Sequence, residues 1–64
     1  MLSNAEVNTL SIGTILYNMK HSYMYSGLHD GTFYWFYVLD ENPEADGEPD
    51  TALTKSEVKK LHKL

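Results

Sequence analysis

The residues with chemistry to offer in this 64-residue chain are three histidines and nine carboxylates, with no cysteine beside them. His21, His29 and His62 are scattered over three segments, and nothing in their spacing matches a metal-ligand motif. His29 beside Asp30 reads as local hydrogen bonding in a turn. The run "DENPEADGEPD" invites a calcium reading. With Gly47 at position six of an EF-hand loop, Asn42, Glu44 and Asp46 fall at positions one, three and five. Position twelve, which needs a bidentate Glu, is then Leu53. The expectation is a solvated loop with no metal and no cofactor. Nucleophilic catalysis needs a framed nucleophile, and no G-x-S-x-G elbow surrounds any serine. There is no phosphate-cradling glycine loop, and a chain this small leaves little room for a substrate pocket of several hundred Å³. The protein is therefore expected not to be an enzyme.

The elements that must position any functional residues are few. A chain of this length makes one domain, residues 1–64. It buries only about 60% of its unfolded surface, so small domains commonly lean on a disulfide, a metal or a partner. The lack of cysteine removes the first and fits a reducing compartment. The N-terminus has no signal-peptide pattern. The longest apolar run is seven residues, short of the roughly 18 that a spanning helix needs. A soluble, cytoplasmic protein is expected, and the net charge of −4 opposes general nucleic-acid binding.

Along the chain, "LSNAEVNTL" carries a capping box, Ser3 with Glu6, and a hydrophobic staple, Leu2 with Val7. It predicts a short helical turn or an irregular lead-in. "GTILYNMKH" alternates Ile15, Tyr17 and Met19 with Thr14, Asn18 and Lys20, with Leu16 breaking the pattern, and reads as a half-buried strand. "SYMYS" either continues it or begins a second strand. Asp30-Gly31 signals a hairpin turn with both residues at positive φ, and "TFYWFYVLD" returns as a strand. The acidic loop 40–51 holds six of the nine carboxylates. "LTKSEVKKLHKL" predicts a closing helix, capped by Thr54 and Glu57, with Val58, Leu61 and Leu64 on its inner face. Together these predict an α+β fold: a small antiparallel sheet, SH3-like or a curled three-stranded one, packed by a C-terminal helix.

The run Phe33–Leu39 is apolar on both faces. Phe33, Trp35, Tyr37 and Leu39 share one side; Tyr34, Phe36 and Val38 share the other. A sheet in a small monomer keeps one face in water. So either the strand is central and buried on both sides, or one face meets a partner. Three adjacent exposed aromatics make a patch of the size that marks an interaction site.

The leading expectation is a non-catalytic protein-protein interaction module. Tyr23, Tyr25, Tyr34 and Trp35 would be its anchors, and Glu44, Asp46, Glu48 and Asp50 its steering charges. In composition the chain resembles the small acidic accessory proteins of bacterial viruses. That resemblance implies an inhibitor or modulator of a host enzyme or defence protein in the host cytoplasm. Two alternatives draw on the same rings. One is a homo-oligomer that sequesters a small aromatic ligand such as a nucleotide, with Lys20 or the C-terminal lysines on its phosphate. The other is single-stranded nucleic-acid binding.

Overall fold

The computed structural model describes residues Met1–Leu64. The chain runs α1 (Asn4–Asn8), β1 (Ile15–Tyr17), β2 (Ser22–His29), β3 (Phe33–Val38), β4 (Thr51–Thr54), α2 (Lys55–Lys59) and β5 (His62–Lys63). Five strands form one antiparallel sheet in the order β4-β3-β2-β1-β5. The fold is α+β, with more strands than the sequence suggested. No helix is long and apolar enough to cross a membrane.

Both capping boxes form. The Ser3 hydroxyl accepts from the Glu6 amide while Glu6 Oε1 accepts from the Ser3 amide, and Thr54 and Glu57 do the same for α2. These satisfy amide donors that a helix start otherwise leaves without a partner.

The predicted closing helix is corrected at its end. It stops at Lys59, after five residues. The amides of Lys60 and Leu61 reach back only three residues, to the carbonyls of Glu57 and Val58, which tightens the last turn. His62 and Lys63 then pair with Tyr17 and Leu16 of β1. An isolated helix of this length is marginal in water, whereas the open edge of β1 offers backbone partners. Val58 and Leu61 are buried as expected, but Leu64 is 88% exposed.

"SYMYS" opens a separate strand. The turn before it closes through the Asn18 amide to the His21 carbonyl, with Asn18 Oδ1 accepting from the amides of Lys20 and His21. The β2–β3 hairpin lies where Asp30-Gly31 placed it, one residue along. Asp30 and Phe33 form the closing pair, Gly31 has φ +88°, and Asp30 itself is not at positive φ.

Midway along β2 the register slips. Tyr25 faces Phe36 and His29 faces Tyr34, which leaves Ser26, Gly27 and Leu28 opposite Trp35 alone. This bulge bends β2 and tilts its far end. The Ser26 hydroxyl donates to the Trp35 carbonyl at 2.6 Å and steadies it. Gly27 has φ +92°, and a Cβ there would stand 2.5 Å from Cγ1 of Ile12. Gly27→Ala is expected to lower unfolding free energy by roughly 1–2 kcal/mol, the left-handed penalty for an L-residue, even if Ile12 swings away. A urea midpoint equal to wild type would contradict that bulge geometry.

Ten residues are buried: Leu2, Val7, Leu16, Tyr23, Tyr25, Tyr34, Phe36, Val38, Val58 and Leu61. They come from the inner face of the three central strands, from both helices and from the residues flanking them. The register aligns Leu16 with Tyr23 and Tyr23 with Val38, so each row across the sheet puts its apolar members on the same side. Phe36 sits at the middle, with ring centroids 5.4 Å from Tyr25 and 6.0 Å from Tyr23.

Candidate interaction surface

The two faces of β3 divide as alternation demands. Tyr34, Phe36 and Val38 are buried; Phe33 is exposed and Trp35, Tyr37 and Leu39 are half-buried. The strand is thus core on one side and only partly covered on the other. This corrects three of the expected anchors. Tyr23, Tyr25 and Tyr34 are 7%, 6% and 5% exposed, and their rings hold the core together. None of their hydroxyls is buried without a partner. Burial pushes the Tyr25 phenol up, helped by Tyr34. A side chain enclosed to this degree has no surface left to give a partner.

Trp35 lies on the open side. Its neighbour across the β3–β4 ladder is Ala52, too small to cover an indole. On the other flank stand the bulge and Leu28, which is 52% exposed. Leu28, Trp35, Glu48 and Pro49 line a shallow groove of about 250 Å³. The indole Nε1 donates to Asp30 Oδ2 at 3.3 Å, and the same carboxylate accepts from the Phe33 amide at 2.9 Å through Oδ1. Those bonds, the Phe33 amide first and Trp35 second, hold the Asp30 carboxyl below its usual range. Tyr37 continues the row, its hydroxyl donating to the Gly47 carbonyl at 2.9 Å. The open face therefore presents ring surface with two carboxylates, Asp30 and Glu48, beside Trp35, and no lysine lines the groove.

The acidic loop is built on Asn42. Its side chain donates to the Asp46 carbonyl and to Asp50 Oδ2, and accepts from the Asp46 amide. Asp50 Oδ2 also accepts from the amide of buried Val38 at 2.9 Å. Asp50 thus also holds the loop against β3. Glu44, Asp46 and Glu48 remain exposed, with their carboxylates in no hydrogen bond or ion pair.

The histidines occupy three separate places. His21 Nδ1 lies 3.3 Å from Asp40 Oδ2, His29 stacks on Tyr34 at 4.0 Å, and His62 tilts against Tyr17 at 5.5 Å. Asp30 bonds to Phe33 and Trp35, so the local His29–Asp30 bond expected from the turn is replaced by ring stacking. No three His, Asp or Glu side chains converge.

Asp40 accepts from the Ser22 amide and faces His21, and Glu6 accepts from the Ser3 amide and from Lys63. Each carboxyl lies below its usual range, the backbone bond being the larger cause in both. A depressed folded-state pKa stabilises above the unfolded value, and that stability is lost as pH falls through the folded one. Melting temperature is therefore expected to hold down to the ordinary carboxylate range of about pH 4 and to fall below it. Asp40→Asn should make that fall shallower. A wild-type melting curve unchanged down to pH 2.5 would show that these bonds contribute nothing.

Sequence reasoning did not single out Leu28 or Phe33 among the expected anchors, although both are exposed apolar residues. A signal was present. Tyr23 and Tyr25 alternate with Ser22 and Ser26, which marks their face as the inner one, and the observed register, Tyr25 opposite Phe36 and Tyr23 opposite Val38, then places Tyr34, Phe36 and Val38 on that same side.

Compared with known proteins, the chain matches no family model, no curated protein and no solved structure.

Proposed function

We propose that this protein is a non-catalytic interaction module that docks a basic partner protein on the open face of its sheet. The observation that carries the reading is Trp35, half-buried in a groove with Leu28 and Pro49 and flanked by the carboxylates of Asp30 and Glu48. A ring held in place on a rigid strand loses little entropy on binding, which is why tryptophan is frequent among hot spots. Glu44, Asp46 and Glu48 lie in the same loop and favour encounter with a positive surface. The strand order, with β5 returning to pair with β1, supports an SH3-like closure of the sheet. In this reading the protein acts by occupying a host enzyme or defence protein in the cytoplasm, as its resemblance to the small acidic accessory proteins of bacterial viruses implies.

The test is capture of partners from a bacterial lysate on tagged protein, with complex mass read by light scattering. One stoichiometric partner is expected. Trp35→Ser should weaken it by about 30-fold or more, the threshold of a hot spot, while the thermal melt still shows a folded protein. Replacing Glu44, Asp46 and Glu48 together with Gln should slow association and flatten its salt dependence. A partner held equally well by folded Trp35→Ser would overturn the assignment. A self-associated species of fixed mass with no second protein would turn the open face into a contact between copies.

A further inference from the structure

We propose a second binding site, unrelated to the aromatic face: the cleft between the N-terminal segment and α2 takes a small, multiply charged phosphate compound of the pyrophosphate or tripolyphosphate class. The cleft has a volume of about 280 Å³ and is lined by Met1, Asn4, Lys55, Ser56, Lys59 and Lys60. Three of the five lysines thus line one concavity, with no carboxylate among its walls.

The fold assembles this cleft. The Leu2 amide donates to the Lys59 carbonyl at 2.8 Å and ties the N-terminal segment beside α2. Lys55 is steadied by a bond from its Nζ to Asn8 Oδ1 at 2.8 Å. Asn8 is uncharged, so the bond orients the ammonium and leaves its charge uncompensated. Lys55 and Lys59 stand four residues apart on a helix, a like-charge spacing that disfavours the helix slightly.

The pairing of charge across the molecule singles this cleft out. The chain has nine carboxylates for five lysines, enough to partner every one. Only Lys63 has a carboxylate within ion-pair distance, Glu6 at 3.2 Å. Glu57, on the same helix as the cleft lysines, has its Oε1 engaged by the Thr54 amide in the capping box. The three lysines that line the cleft thus have no ion-pair partner, and an anion with charge spread over several oxygens suits such a wall. Lysine is a point-charge phosphate binder, suited to such a flexible, multi-oxygen ligand. Asn4 and Ser56 add neutral hydrogen-bonding groups at the same walls.

The test is a titration of the folded protein with sodium pyrophosphate and with sodium tripolyphosphate, followed by amide NMR shifts. Sodium chloride at matched ionic strength is the control. Saturable shifts are expected at residues 1–4 and 55–60, tighter for tripolyphosphate than for pyrophosphate. Lys59→Gln/Lys60→Gln, which keeps good helix formers, should weaken binding at least ten-fold. Lys20→Gln, in the β1–β2 turn and not among the cleft walls, should leave it unchanged. Shifts that chloride reproduces would overturn the proposal. So would shifts that never saturate, or an affinity that the folded double variant retains. Loss of the Trp35 partner in the preceding test bears on neither outcome.

Discussion

Phe36→Ala is expected to bring the protein to the edge of unfolding at 25 °C. Phe36 is fully buried, the largest side chain so enclosed, and its ring meets those of Tyr23 and Tyr25. Truncating a buried phenylalanine typically costs about 3–5 kcal/mol in lost burial and residual cavity. At about 0.05–0.15 kcal/mol per residue, a domain this small holds roughly 3–10 kcal/mol in all. Only ten residues are buried, so few neighbours exist to collapse into the gap. Urea denaturation followed by circular dichroism reads the effect directly. Trp35→Ala, one position earlier on β3, is the control: its ring is half-exposed and should cost clearly less. Equal losses at the two positions would mean that the faces of β3 are not divided as described.

Asp50→Ala is expected to lower stability by about 1–3 kcal/mol, the range for leaving a buried backbone donor without a partner. The donor is the amide of Val38, a residue 7% exposed, which donates to Asp50 Oδ2 at 2.9 Å. The same oxygen holds Asn42, on which the loop folds. Glu44→Ala and Glu48→Ala, in the same loop, should change stability by less than about 0.5 kcal/mol, as surface substitutions usually do. A melt separates the carboxylate that supports the fold from those free for a partner. If all three substitutions behave alike, the loop has no internal anchor and the distinction drawn for Asp50 falls.

This contrast shows how far composition can be trusted. Asp50 and Glu48 lie two residues apart in one acidic run and look alike in the sequence. What separates them is that β4 begins at Thr51 and pairs with Phe36, which brings the Asp50 side chain beside the Val38 amide. That long-range pairing leaves no trace in the local pattern. Trp35 was legible as a candidate anchor because an indole on a strand with two apolar faces must be either core or surface. Tyr34, its neighbour, carried the same local signal and went the other way.

Local chemistry alone determined several things in this protein. Two capping boxes place two helix starts, because the side chains involved are three residues apart and need no distant partner. Asp30 and Gly31 place a hairpin, and alternation sorts Phe33–Val38 into two sets. Only the tertiary structure decided which set faces inward, that the chain after Lys59 becomes an edge strand, and that lysines of α2 meet the N-terminal segment around one cleft. Each of these depends on contacts between residues far apart in the chain. The open edge of β1, which takes His62 and Lys63 as partners, outweighs the weak preference of a five-residue helix to continue.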